Sequence, residues 1–345
     1  MKVPRVPWLR PICLSAAQYR AFTSSSARHS ITAKDAAARM LDTFGNTTSV
    51  RRQLIDANQL QKLALTLGRP VLPGRVDVSE LAPPAGTPLP PGYHLVYFTP
   101  NGVESELGPD GTDVSFNAPA PFTRRMWAGG RMSWPKEGEL ALRVGDEAEE
   151  RTRLIGATPK SSRSAGEMVL VEVEKEIWTP RGLAISDRRS WIFRPQLDPS
   201  NPPPTPPKPA NADVRAPSEV KDQADGRRHL RWSPTGLFRF SALTFNGHKI
   251  HYNEDWTRNV EGHPGEVVHG PLNLINMLDY WRDTRGAALG LDLPGQVVYR
   301  AVSPIYAGEE YQIYDGGESA KEGVRAWDVV VEKNGVVCMK GEISI

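Results

Sequence analysis

The chain has 345 residues, 39% hydrophobic and 24% charged, with 42 Lys and Arg against 40 Asp and Glu for a formal charge of +2. That length accommodates two domains and a sizeable core, and no apolar run approaches the ~18 residues of a bilayer-spanning helix. The near balance of charge offers no basic face for nucleic acid, so the expectation is a protein with neither a membrane span nor a nucleic-acid partner.

No acidic residue precedes Asp35, while Lys2, Arg5, Arg10, Arg20, Arg28 and Lys34 are scattered among Ser, Thr, Ala and apolar residues. That is the composition of a mitochondrial presequence. Arg10 and Arg20 interrupt the continuous apolar run that a secretory signal requires. Residues 1–30 are therefore expected to be a presequence, cleaved between Phe22 and Ser30, with the matrix as destination. Of the two cysteines, Cys13 falls inside it. Cys338 then has no internal disulfide partner, and its place in an apolar strand marks it as core filler.

Thr32, with Asp35 three residues on, predicts a variant capping box for a helix ending near Phe44 and Gly45. Ser49 is expected to cap a second helix through Leu54, Ile55, Leu60, Leu63, Ala64 and Leu67, closed by Gly68 and Pro70. After a Pro-rich passage, Tyr93 to Phe98 reads as a buried strand from its aromatic and β-branched content. Strand signals dominate from Met132 to Phe193. Residues 194–230, rich in Pro, Asn and Asp with few large apolar side chains, are expected to form a linker, because such a segment cannot bury enough surface to offset its ordering entropy. The linker divides residues 31–193 from residues 231–345.

The second part repeats the organisation of the first. "RVGDEAEE" from Arg143 has a counterpart in "YAGEEYQI" from Tyr306, and "GEMVLVEVEKEIW" is echoed by "EGVRAWDVVVEKNGVVCM", where Asn334-Gly335 is a two-residue hairpin signal. Such similarity at about half the chain length predicts two copies of one fold. Only the second copy carries "HGPLNLINMLDYWRD", a helix with Pro271 in its first turn and apolar residues around most of its circumference. This is a buried helix, and strands on one side of it imply a sheet wrapped around a central helix.

Four of the seven histidines, His248, His251, His263 and His269, cluster in sequence. "LFRFSALTFNGHKIHYNEDW", Leu237 to Trp256, followed by "EGHPGEVVHGPL", Glu261 to Leu272, resembles the signature of the MaoC-like hydratases and dehydratases. It is most similar to the mitochondrial hydroxyacyl-thioester dehydratases type 2 and the related mesaconyl-CoA hydratases. "PLPPGYHLVYF" and "PFTRRMWAGGRM" resemble the non-catalytic first half of the same proteins, so the likeness runs from about Ile55 to the C-terminus. It implies an α+β fold, the double hot-dog, with two antiparallel sheets side by side, each around a central helix. Residues 31–193 would then be the non-catalytic hot-dog and residues 231–345 the catalytic one. The chain would be a pseudo-dimeric monomer or a homodimer.

Eliminating water from a 3-hydroxyacyl thioester needs a base for the C2 proton, a proton for the departing hydroxyl and donors for the enolate-like oxygen. An imidazole suits the first two tasks near neutral pH, and His251 is the candidate. The family motif runs Asp, any residue, Asn, Pro, any residue, His; the matching positions here hold Asn246, Gly247, His248, Lys249, Ile250 and His251. Asn246 thus stands where the resemblance implies the catalytic Asp. An amide exchanges no proton but orients oxygen, so His251 is expected to handle both transfers. Glu254 and Asp255 are candidates to orient an imidazole, and the N–H of Gly270, at a helix start, is the candidate oxyanion donor. Candidate substrate contacts are His248, Tyr252, His269 and Asn273.

The spacing of His248 and His251 lacks the further ligands of a zinc site, so no metal is expected, and the elimination needs no flavin or nicotinamide. Trp127, Trp134 and Trp178 are read as core, with an acyl-tunnel lining as the functional alternative. The resemblance implies a mitochondrial (3R)-3-hydroxyacyl-thioester dehydratase of type II fatty-acid synthesis acting on acyl carrier protein or CoA thioesters. The rivals are a mesaconyl-CoA or short-chain enoyl-CoA hydratase and a non-catalytic acyl-thioester binding protein.

Overall fold

The computed structural model describes residues 31–345 except 136, 164–165, 199, 202–203, 210–215 and 322. The expected presequence and Cys13 lie outside the described residues. In chain order the elements are α1 (Ala33–Phe44), β1 (Thr48–Leu54), α2 (Ala57–Thr66), β2 (Val71–Leu72), β3 (Val76–Asp77), β4 (Arg124–Ser133), β5 (Glu147–Ser162), β6 (Gly166–Thr179) and β7 (Gly182–Arg194). They continue with β8 (Glu219–Asp222), β9 (Arg228–Arg231), α3 (Pro234–Leu243), α4 (Glu254–Asn259), α5 (Gly270–Trp281), β10 (Gln296–Ala301), β11 (Glu310–Lys321), β12 (Val324–Lys333) and β13 (Val336–Ser344). No helix among the described residues is long and apolar enough to cross a membrane.

Apart from the short β2–β3 pair, the strands form one 11-stranded sheet in the order β1-β5-β6-β7-β4-β10-β13-β12-β11-β9-β8. The order reads as a palindrome about the β4–β10 seam, where Gly130 pairs with Tyr299. β5-β6-β7-β4 on one side answers β11-β12-β13-β10 on the other, and the two copies expected from the internal repeat are this pseudo-symmetry. The hairpin between β12 and β13 turns at Asn334 (φ 49°) and Gly335 (φ 77°), both left-handed as a type I′ turn requires. The fold is the expected α+β double hot-dog.

The halves differ in what their sheets enclose. In the second half α5 is buried over nearly its whole length, with Leu272, Leu274, Ile275, Met277, Leu278 and Trp281 all at 0% exposure. At about 1.5–3 kcal/mol for each fully buried large apolar side chain, this row fixes the helix, and so its N-terminus, against the sheet. In the first half Tyr93–Val96 is a single 3-10 turn, entered through Gly92 at φ 85°. The expected strand at Tyr93–Phe98 is therefore corrected. The segment is buried, but Tyr93 donates from its hydroxyl to Asp279 on α5 (3.0 Å) and Tyr97 to the Asp56 carbonyl (2.7 Å), so it docks on helices and pairs with no strand. Aromatic content signalled burial, which a compact turn satisfies as well as an extended chain.

α1 begins at the expected capping box between Thr32 and Asp35 and covers Leu154, Val169, Val171, Val173 and Phe193 in a second apolar cluster. Ser49 is no cap. It lies in β1, which pairs with β5 and is held extended by the ion pairs Arg51–Glu150 (2.7 Å) and Arg52–Glu149 (2.9 Å); Asp56 caps α2 through the Gln59 N–H (2.8 Å). The end of the expected linker is also ordered, because β8 pairs with β9 and β9 with β11. Residues 31–345 form one compact unit. Cys338 is buried on β13, as expected of a filler.

Candidate active site

α3 carries Ser241 and ends at Thr244; Phe245 follows in the left-handed region (φ 48°) and turns the chain into the loop 246–251. A non-glycine residue held there marks a backbone constrained by its surroundings. The loop closes with one 3-10 turn, Lys249–His251, and its direction is set by backbone bonds from Val267 N–H to the Ile250 carbonyl (2.8 Å) and from Val268 N–H to the Ile305 carbonyl (2.8 Å). The extended segment at Val267 leads directly into α5. His251, His269 and Gly270 are thereby brought to one end of the buried helix.

The His251 Nδ1 lies 2.7 Å from the Val267 carbonyl oxygen. A carbonyl only accepts, so Nδ1 carries the proton and Nε2 keeps its lone pair. Burial pushes the His251 pKa from 6.5 down to about 3, with a further contribution from His248. The ring is thus a neutral base at physiological pH. His269 stacks on it, with 3.6 Å between centroids and 18° between planes, and is itself held by Ser241 Oγ at 2.8 Å from Nε2. His248 meets the His251 ring edge-on at 5.4 Å and 82°. Burial, then Arg125, lowers the His248 pKa to about 3, and burial with Arg124 lowers that of His263 to about 4. Burial also holds His269 well below its ordinary value. Four neutral imidazoles share the site.

Gly270 opens α5, where the backbone N–H groups of the first turn have no intrahelical acceptor and the dipole favours negative charge. A Cβ at this position would lie 3.1 Å from both Cγ and Cδ1 of Trp127, tighter than most side-chain contacts, so glycine lets the indole rest against the backbone without adjustment. The site opens into a groove of about 1360 Å³ lined from both halves of the chain, with His248, His251, Gly270 and Asn273 from the second half and Arg125 and Trp127 from the first.

The other expected residues fall as follows. Asn246 lines the groove, and its Oδ1 accepts the His248 backbone N–H at 3.1 Å. Asn273 accepts from the Tyr311 hydroxyl (2.9 Å), which in turn accepts from the Trp232 indole (2.9 Å). Tyr252 is exposed and donates to the Gly247 carbonyl (3.0 Å), bracing the loop from outside. Neither Glu254 nor Asp255 orients an imidazole: Glu254 pairs with Lys208 (2.5 Å) and Asp255 accepts from Asn259 (2.7 Å). The Val267 carbonyl holds His251 instead. Sequence reasoning did not find Ser241, Arg125 or Asp110, whose carboxylate lies 3.7 Å from His248 Nε2. The nearest signal was "PDGTD", Pro109 to Asp113, which marks a turn without showing what it touches.

A model of the hydroxyacyl-thioester dehydratase type 2 family matches residues 92–307, more than half of the chain. The chain belongs to this family. Among curated relatives, the mesaconyl-C(4)-CoA hydratase of Chloroflexus aurantiacus is 36% identical over 204 residues, 58% of this chain and 67% of that one. The mitochondrial hydroxyacyl-thioester dehydratase type 2 of Schizosaccharomyces pombe is 27% identical over 256 residues, 68% and 79% of the two chains. Solved structures share the fold at low identity. HtdX of Mycobacterium tuberculosis superposes with a TM-score of 0.52 at 13% identity, covering 86% of this chain and 99% of that one. A MaoC-like dehydratase from Phytophthora capsici gives 0.54 at 14%, covering 86% and 94%. Membership makes the chain a hydro-lyase, as its relatives are named.

Proposed function

We propose that the chain interconverts (3R)-3-hydroxyacyl and trans-2-enoyl thioesters by syn elimination and addition of water. His251 Nε2 takes the C2 proton and returns a proton to the hydroxyl leaving from the same face. Gly270 N–H stabilises the developing enolate-like oxygen, and Asn246 helps position oxygen. The observation that carries this reading is the His251 ring itself, neutral, with Nδ1–H committed to Val267 and a free base at Nε2 beside the start of α5. Residues 231–345 would carry the chemistry and residues 31–193 the opposite groove wall.

The finer assignment is a mitochondrial enzyme of type II fatty-acid synthesis, working in the matrix on acyl carrier protein or CoA thioesters. It draws support from the mitochondrial relative of fission yeast and from the acid-free first residues. A second reading, a mesaconyl-CoA hydratase, draws support from the 36% identical bacterial relative. Assaying the pure protein on four-carbon, eight-carbon and methyl-branched enoyl thioesters separates the two. Activity across chain lengths is the outcome the first expects, and activity confined to mesaconyl-CoA would replace it by the second.

A further inference from the structure

The titratable groups outside the roles above include one carboxylate that reaches the catalytic loop from the other half of the chain. Asp110 lies in the loop before β4, at 9% exposure. Its Oδ1 is taken by Thr112, which donates both its N–H (3.0 Å) and its hydroxyl (2.7 Å). Its Oδ2 faces His248 Nε2 at 3.7 Å, and both side chains are close to nine-tenths buried.

This approach is built into both backbones. The Lys249 N–H donates to the Asp110 carbonyl (2.8 Å) and Lys249 Nζ to the Pro109 carbonyl (2.8 Å). Gly111 (φ 82°) lies against Gly247 so closely that a Cβ on Gly111 would sit 2.1 Å from the Gly247 carbonyl oxygen. From the sheet side Arg125 donates to the Asp113 carbonyl at 2.9 Å, pinning the same loop to β4. Side chains at any of these glycines would part the two loops.

We propose that Asp110 is a positioning residue of the reaction, holding His248 in the tautomer whose free ring nitrogen meets the oxygen of the substrate. The proposal rests on the hydro-lyase reading and extends it. A carboxylate only accepts, so Asp110 favours the proton on His248 Nε2 and leaves Nδ1 with its lone pair. Tautomer is the property that matters, because burial first, then Arg125, His263 and Arg124, keep the ring neutral. At 3.7 Å the contact is electrostatic rather than a hydrogen bond, and it still favours the tautomer whose N–H faces the carboxylate. Asn246 ties to the same residue through its carbonyl, which accepts the His248 N–H. His248 thereby shares the oxygen-handling face of the site with Asn246, and the carboxylate that orients it comes from the first half.

The test is a double-mutant cycle on the full chain with crotonyl-CoA hydration as readout: wild type, Asp110→Asn, His248→Gln and the double variant. The proposal expects Asp110→Asn to lower kcat on the order of 10- to 100-fold with KM changed less than about threefold. It expects the double variant to match His248→Gln alone, because a residue acting through another has nothing to act on once that one is gone. An Asp110→Asn loss that persists undiminished in the His248→Gln background marks a purely structural role and overturns the proposal, as does an Asp110→Asn enzyme within about twofold of wild type. A wild-type protein that hydrates no enoyl thioester would remove the hydro-lyase reading itself, and the proposal with it.

Discussion

The imidazoles of His251 and His269 lie face to face at 3.6 Å, and Ser241 Oγ holds the outer ring at 2.8 Å. His251 is therefore clamped by the Val267 carbonyl in its own plane and by a neighbouring ring against its face. Ser241→Ala leaves the buried His269 Nε2 without its partner, which costs about 1–3 kcal/mol. Urea unfolding monitored by tryptophan fluorescence should show this loss, and kcat should fall as the stack loosens. Unchanged stability and kcat would mean that the clamp has no consequence.

The buried histidines make stability depend on pH in a definite direction. His248, His251 and His263 have folded-state pKa values near 3, 3 and 4, below the 6.5 of an unperturbed imidazole. Between those values the unfolded chain binds more protons than the folded one, so stability rises with pH. Their contribution is complete above about pH 6.5 and is lost as pH falls, to about 4 for His263 and to about 3 for His248 and His251. Melting temperatures measured from about pH 7.5 down to pH 4.5 should decline with a slope that shrinks in His263→Gln.

The same shift separates activity from an ordinary histidine profile. The base must be neutral, and His251 is neutral well below pH 6.5. The kcat/KM of the free enzyme should stay flat through about pH 6.5 and down toward pH 5, as far as the fold survives. An acid limb centred near 6.5 would show that His251 is more solvated than its burial allows.

Gly270→Ala places a methyl 3.1 Å from the Trp127 ring. Either the indole yields or the start of α5 moves by a few tenths of an ångström, and where the oxyanion donor moves kcat falls by up to about 10-fold. Melting temperature should change little, because the apolar row of α5 is untouched. A Gly270→Ala enzyme whose structure shows a displaced helix start and whose kcat is wild type would remove the N–H from the mechanism.

Much of this was legible because local chemistry decided it. The capping box at Thr32, the Asn334-Gly335 turn and the apolar circumference of α5 each follow from residues close together in the chain, and the repeat behind the β4–β10 palindrome from local patterns that recur half a chain apart. His251 and Gly270 were legible as motif residues, and the structure brings both to the same groove. Reading failed where distant contacts decide. Ser49 reads as a cap until Glu149 and Glu150, a hundred residues away, hold its strand extended. Tyr93 to Phe98 has strand composition, but its phenols are claimed by Asp279 and Asp56. The tie between Asp110 and His248 depends on two glycines meeting across 136 positions, and no local pattern announces that.

The central claim is that one neutral imidazole moves the proton. Its most direct test is the hydration rate of crotonyl-CoA by His251→Ala against wild type, with circular dichroism confirming that both are folded. Loss of general acid–base catalysis predicts a fall in kcat of about 10²- to 10⁴-fold. A folded His251→Ala protein that hydrates crotonyl-CoA at the wild-type rate would contradict the account.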